Sequence, residues 1–360
     1  MNKKKVLVVD DSAVMRELLS SIINQHPELD VVGIAANPNI ARKKIAKLNP
    51  DVITLDVEMP EMDGVTFLQN LMQIHPMPVV MVSSLTKKGA DITLRALELG
   101  AVDFVTKPDR HDEAGIENFS NEIISRVFHA CEADVAAVES TPRQRLTLPN
   151  KVAKSKSTSV PTGLVVIGAS TGGPQAIQEV LCNLPLDCPP IAIVQHMPPR
   201  FTQMYADRVD KVCNISVSEA QDQDKLTPGS ALIAPGGMQM RLSRTASVIR
   251  AEVTEDPPVN QHRPSVDVLL DSVIPITRHM PVMSIILTGM GKDGSQGMLK
   301  LRQSGAHTVA QDKATSIIFG MPDQAIKLGA ATKVLPLHKI AGEIVQWWAS
   351  IQHSAKELVH

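Results

Sequence analysis

Apolar and polar positions fall into two separate strand–helix rhythms along this chain. In the first, short apolar runs suited to buried strands lie at Lys5–Val9, Val31–Ala35, Val52–Leu55, Val79–Val82 and Val102–Val105. Between them apolar residues recur at helical spacing, for example over Val14–Asn24 and Gly64–Gln73. Strands alternating with helices predict a parallel sheet covered by helices on both faces. Helical spacing continues through Ile116–Val138, with Phe119, Ile123, Val127 and Cys131 on one side, and stops after Glu139. Residues 140–161 are rich in Ser, Thr, Lys and Pro and read as a flexible interdomain linker.

A second rhythm starts at Gly163. It predicts strands at Leu164–Ile167, Ile191–Gln195, Ile215–Ser218, Ala231–Ala234, Met283–Leu287 and His307–Ala310. Helices are expected at Pro174–Cys182, Arg200–Val212, Val266–Ile274, Gly294–Ser304, Asp323–Leu328 and Lys339–Gln352. Met238–Val253 reads as an antiparallel hairpin. The expected architecture is therefore α/β twice over. A flavodoxin-like (βα)5 domain spans residues 1–130, and a helical extension and linker spans 131–161. A doubly wound, mostly parallel sheet with one antiparallel hairpin spans 162–355.

Composition changes this picture little. A chain of 360 residues has two domains as its natural prior, and 43% hydrophobic residues suffice for two cores. Aromatics make up only 2%, so those cores must be built from Leu, Ile, Val and Met. A net charge of −2 with no large basic block argues against nucleic acid as a partner. The first apolar run is only four residues long before Asp10 and Asp11, too short for a signal peptide, and no run reaches membrane-spanning length. A cytoplasmic location is expected. The cysteines Cys131, Cys182, Cys188 and Cys213 show no close paired spacing and read as reduced thiols.

Candidate chemistry sits where strands end. In the first domain, strand one runs into Asp10 and Asp11, strand three into Asp56, strand four into Ser83 and Ser84, and strand five into Thr106, Lys107 and Pro108. In parallel sheets, ligands bind beyond these ends. A single Asp there often only caps a helix. Three carboxylates at one edge would repel one another without a cation, and hard oxygen ligands suit Mg²⁺. A carboxylate beside Mg²⁺ can attack a phosphoryl group, with Lys107 and the Ser83 hydroxyl contacting phosphoryl oxygens.

This segment resembles the receiver domain of two-component response regulators. The matching residues are Asp10-Asp11, Asp56 in Leu-Asp-Val-Glu-Met-Pro-Glu-Met-Asp-Gly64, Ser83 and Lys107-Pro108. The resemblance implies phosphorylation of Asp56 by a partner sensor histidine kinase, with Mg²⁺ held by Asp10, Asp11 and Asp56. It also places Phe104 where an aromatic ring reports the switch.

In the second domain, the strand at Leu164–Ile167 ends in Gly168-Ala-Ser-Thr-Gly-Gly173, and Pro174 then opens a helix. Ser170 thus lies in a tight strand-to-helix turn near the positive end of a helix dipole. Such a turn suits an exposed nucleophile, or a phosphate cradle. The strand Ile191–Gln195 runs into His196, and Met283–Leu287 leads through a glycine-rich turn to Asp293. Three strand ends would then offer Ser, His and Asp at one edge, the set for nucleophilic acyl transfer. His262, on a loop, is the rival base. The Gly-x-Ser-x-Gly match adds little, because the chain order Ser–His–Asp is not that of α/β-hydrolases.

The second domain resembles the catalytic domain of the chemotaxis protein-glutamate methylesterases. The shared motifs are Ile-Gly-Ala-Ser-Thr-Gly-Gly, Gln195-His-Met-Pro, Ala234-Pro-Gly-Gly, His262-Arg-Pro-Ser-Val-Asp267 and Leu287-Thr-Gly-Met-Gly-Lys-Asp-Gly294. The resemblance implies a cofactor-free esterase that hydrolyses γ-glutamyl methyl esters of methyl-accepting chemoreceptors and deamidates some receptor glutamines. It carries over Ser170, His196 and Asp293 as the triad, with Thr171 and Met290 on the oxyanion side. It further implies that the unphosphorylated receiver covers the esterase cleft, and that the protein is peripheral to membrane receptor arrays. Two other classes fit the sequence less well. A DNA-binding output would need a basic recognition helix. A nucleotide loop at Gly168–Gly173 would need Gly-x-Gly-x-x-Gly or P-loop spacing.

Overall fold

The computed structural model describes residues 3–60, 62–84, 86–108, 113–133 and 162–357. The predicted linker and the end of the helical extension, residues 134–161, lie outside them. The chain divides into two compact units, Met1–Val138 and Glu139–His360.

The first unit is a five-stranded parallel sheet. Its strands are β1 (Lys4–Val9), β2 (Leu29–Ala35), β3 (Val52–Asp56), β4 (Val79–Ser83) and β5 (Asp103–Thr106), in the order β2-β1-β3-β4-β5. β3 and β4 are buried throughout, as expected where helices cover both faces. Helices begin where the sequence offers a cap. Ser12, Asn37, Asp63 and Thr86 each accept a backbone N–H from three residues on. The strand order reverses at β1 and β3, so their carboxyl ends open the crevice in which such sheets bind ligands. Helical spacing after β5 gives a helix at Glu113–Ala130, followed by a turn.

The second unit contains β6 (Leu164–Ala169), β7 (Ile191–Gln195), β8 (Ser216–Glu219), β9 (Lys225–Leu226), β10 (Ser230–Ile233), β11 (Gln239–Thr245), β12 (Val248–Thr254), β13 (Val282–Ile286), β14 (His307–Gln311) and β15 (Lys333–Leu335). Seven of these form one sheet in the order β15-β14-β13-β6-β7-β10-β8, and every pairing in it is parallel. The expected hairpin exists as β11 and β12, but it stands apart. It recruits the two-residue β9 into a separate antiparallel sheet of three strands. β9 and β15 are too short to leave an alternation in the sequence. The core is aliphatic, built from residues such as Leu164, Val166, Val194, Val266, Leu269, Ile286 and Leu301, all buried.

The order of this sheet positions the site. From β6 the chain moves outward through β7, then returns to the other side of β6 as β13. β6 is thus the switch point, with β7 and β13 as its two neighbours. None of the four cysteines is in a disulfide; Cys188 and Cys213 are buried, Cys131 and Cys182 only partly, and the Cys182 and Cys213 sulfurs lie 2.7 Å apart.

Candidate functional site

Two buried polar clusters lie beyond strand ends, one in each unit. In the first, Asp10 follows β1, Asp56 ends β3 and Lys107 follows β5. Asp10 and Asp56 are buried while Asp11 is exposed, and one carboxylate oxygen from each lies within 4.8 Å of the others. Lys107 Nζ sits 3.0 Å from Asp10 Oδ2 and 2.9 Å from Asp56 Oδ2. Backbone N–H groups of Ser12 and Glu58 donate to Asp10 Oδ1 at 2.9 Å and Asp56 Oδ1 at 3.3 Å. Burial pushes the Asp56 carboxyl up to about 6; Lys107 opposes that shift and Asp10 adds to it. Burial also works to lower the Lys107 ammonium, but the two carboxylates hold it above its ordinary value.

The cluster fits a hard divalent cation. All its donors are carboxylate oxygens, and Asp10 Oδ2 is buried with an ion pair but no aligned hydrogen bond. Ser83 lies at the end of β4, as expected, but its hydroxyl is engaged with the helix Lys87–Glu98. It donates to Gly89 O at 3.2 Å and accepts from Thr93 Oγ1 at 2.7 Å. Phe104 is buried in β5, with the Arg126 guanidinium 5.8 Å from its ring centre.

In the second unit, Ser170 follows β6 directly and is buried, 3% exposed. Its backbone is held at both ends. The Ser170 N–H donates to Thr288 O at 3.1 Å, and its carbonyl accepts from Gln195 Nε2 at 2.9 Å and Gly173 N at 2.7 Å. Gly172 makes the turn into the helix Gly173–Cys182 at φ +75°, a conformation that costs glycine nothing. Gly289 lets the loop after β13 press against this turn: a Cβ there would lie 2.8 Å from Ser170 Cβ.

β6 and β7 pair with Ala169 opposite Gln195, so Ser170 and His196 leave adjacent strands at the same level. The His196 N–H donates to Ala169 O at 3.1 Å, and Gln195 Nε2 also donates to His196 O at 3.1 Å. Gln195 therefore ties the serine turn to the histidine loop.

His196 Nε2 lies 2.9 Å from Asp293 Oδ2, while His196 Nδ1 is buried without a hydrogen-bond partner among the described residues. Asp293 is 1% exposed and densely bonded. It also accepts from Val266 N at 2.7 Å, Asn260 Nδ2 at 2.7 Å, Ser265 Oγ at 2.8 Å and Asp267 N at 3.2 Å. Burial alone would raise this carboxyl. Donors led by His196 outweigh burial and hold it well below the usual carboxylate range.

Thr171 is buried, and its carbonyl accepts from Thr288 Oγ1 at 2.9 Å. Met290 follows Gly289 and is half-buried. His262, the rival base, lies against His196. Its ring stacks on the His196 ring, centroid to centroid at 3.7 Å. Gln195, Asn260 and Ser265 were not assigned roles from sequence, although each lies in or beside a singled-out motif.

Comparison with known proteins matches the same two units. The family model described as CheB methylesterase matches residues 165–344, and the response regulator receiver domain model matches 6–114. A protein-glutamate methylesterase/protein-glutamine glutaminase 2 of Cupriavidus pinatubonensis is 47% identical over 349 residues, covering 95% of each chain. The protein-glutamate methylesterase/protein-glutamine glutaminase of Salmonella typhimurium is 47% identical, covering 96% of this chain and 97% of that one. The crystal structure of the Thermotoga maritima CheB methylesterase catalytic domain aligns with a TM-score of 0.50 at 39% identity. It covers 51% of this chain and 97% of that one. With an α/β receiver unit ahead of an α/β esterase unit, the chain belongs to the family of protein-glutamate methylesterases/protein-glutamine glutaminases.

Proposed function

We propose that this chain is a phosphorylation-stimulated serine esterase. Its substrates are γ-glutamyl methyl esters of methyl-accepting chemoreceptors, and it also deamidates receptor glutamines. The observation that carries the reading is the state of His196. One ring nitrogen is bonded to Asp293, whose carboxyl lies well below the usual range; the other is buried and makes no hydrogen bond among the described residues, and His196 leaves its strand level with Ser170 on the neighbouring one.

His196 Nδ1 takes the Ser170 proton as Oγ attacks the ester carbonyl. The carboxylate of Asp293 keeps the proton on Nε2 and stabilises the imidazolium that forms. His196 returns the proton to the departing methoxide, and methanol leaves a Ser170 acyl-enzyme. Water, deprotonated by the same nitrogen, then releases the glutamate. With a glutamine side chain, the leaving group is ammonia. We assign Thr171, next to Ser170, and Met290, next to the Gly289 that presses on the Ser170 turn, to stabilising the carbonyl oxygen as it becomes negative.

In the receiver unit, Asp56 accepts a phosphoryl group from a sensor histidine kinase, and its phosphorylation raises the rate at Ser170. Asp10, Asp11 and Asp56 would hold Mg²⁺. When bound, the ion neutralises charge between the carboxylates and the phosphoryl oxygens. Lys107 pairs with a phosphoryl oxygen once the phosphoryl group is on Asp56. Ser83 reaches one only by leaving Gly89 O. Among the described residues no helix is long and apolar enough to cross a membrane. We place the chain in the cytoplasm, where it meets receptors at their cytoplasmic helices. Methanol release from methylated chemoreceptor tests the reading. Wild type should release methanol, and Ser170→Ala should not. Near-normal release by the variant would remove Ser170 as nucleophile.

A further inference from the structure

The proposed chemistry leaves His262 without a role, yet its ring lies flat on that of His196. The centroids are 3.7 Å apart and the planes differ by 12°. A strained turn puts it there. The Val259 N–H donates to His262 O at 3.0 Å, and the His262 N–H donates back to Val259 O at 2.9 Å. The two corner residues, Asn260 and Gln261, have φ of +52° and +67°. A two-residue turn with both corners in the left-handed region favours Asn and then Gly. Gln261 in the second corner carries a steric cost that glycine would not. Such strain persists only where the surroundings over-determine it.

The surroundings do so from three sides. Asn260 Nδ2 donates to Asp293 Oδ1 and to Asp267 Oδ2, both at 2.7 Å. Gln239, buried at the start of β11, donates from Nε2 to Pro257 O at 3.1 Å and His262 O at 3.2 Å. Its Oε1 accepts from Ser265 N at 2.9 Å. One turn therefore touches both members of the His–Asp pair. Asn260 meets the carboxylate and His262 meets the face of the imidazole.

A hydrogen bond at Nε2 anchors one edge of the His196 ring but leaves the ring free to twist. The outer torsion of histidine is broad and does not fix the plane by itself. A flat ring stacked against it does. We propose that His262 is a positioning residue that sets the plane of His196, so that Nδ1 is held available to Ser170 while Nε2 holds Asp293. The inference rests on His196 being the general base proposed above.

The test uses the full chain and methylated chemoreceptor, comparing wild type with His262→Ala, His262→Leu and His262→Phe. Leu supplies bulk without a plane, and Phe supplies the plane without ring nitrogens. Ala and Leu should lower kcat roughly ten- to a hundredfold, as a small misplacement of a catalytic group does, with KM little changed. Phe should recover most of that loss. With ring-labelled histidine, the His196 signal, identified by its disappearance in His196→Gln, should carry an upfield ring-current shift in wild type and Phe, and lose it in Ala and Leu. Phe as slow as Leu, or Ala or Leu at the wild-type kcat, would overturn the proposal; because Phe and Leu are compared directly, it stays testable even where Ala fails to fold. Wild-type kcat in His196→Gln would instead remove the general base itself, whatever the His262 variants do.

Discussion

Asp56 and Asp293 are both buried and both lie beyond strand ends, yet they are held in opposite ways. Asp56 has one backbone donor, from Glu58, and one ion pair, with Lys107. Asp293 accepts from His196, Asn260, Ser265, Val266 and Asp267. Burial therefore prevails at Asp56, whose carboxyl rises to about 6, and hydrogen bonds prevail at Asp293, whose carboxyl falls below the usual range. The difference fits the two roles proposed above. A carboxylate that must react is left short of partners, with neighbouring oxygens able to take a cation. A carboxylate that must only orient a base and stay charged is saturated.

Ser170→Ala offers the strongest break between the two sites. Ester hydrolysis should fall by roughly five to six orders of magnitude, since loss of a triad nucleophile is rarely compensated. Phosphate uptake at Asp56 from a small phosphodonor should be unchanged. Loss of both together would mean that the two sites do not work separately. Asp293→Asn comes next. It leaves the shape but not the charge, and the rate should drop by roughly three to four orders of magnitude as the wrong imidazole tautomer is favoured.

The Asp56 side of the comparison is a matter of pH. Its folded carboxyl titrates at about 6, against an ordinary 3.8. The folded chain thus holds more protons than the unfolded one between those values. The Asp56 contribution to receiver stability should be fully present below about pH 4 and be lost as pH rises through about 6, by no more than about 3 kcal/mol. Asp56→Asn should flatten this slope and raise receiver stability above pH 6, and Mg²⁺ should stabilise wild type more than the variant. Calorimetric melting of the full chain across this range, following the receiver transition, measures all three. A wild-type stability that climbs with pH would show that Lys107 outweighs burial. Ser265→Ala should have the smallest effect. It removes one of five donors to Asp293, so kcat should fall by less than about tenfold. A loss as large as that of Asp293→Asn would mean that the donors do not share the task.

The sequence shows where polar groups interrupt apolar strands, and that singles out Ser170, His196, Asp293, Asp10, Asp56 and Lys107 as candidates. It could not show which donors saturate Asp293. Asn260 and Ser265 reach it from about thirty residues away, through a loop whose path depends on Gln239 in another sheet. Gln195 was visible only as the last residue of a strand, since its bond to Ser170 O needs the β6–β7 register. Ser83 was legible as a strand end, but Thr93 and Gly89 decide where its hydroxyl points. The hairpin was legible, but its third strand β9 is two residues long and pairs through tertiary approach alone.

The most direct test of the account is methanol release from methylated chemoreceptor with and without a small phosphodonor and Mg²⁺, in wild type and Asp56→Asn. Both proteins should share one basal rate, and phosphodonor should raise it in wild type alone. An equal rise in the variant, or no rise in wild type despite phosphate on Asp56, would contradict control of Ser170 by the receiver site.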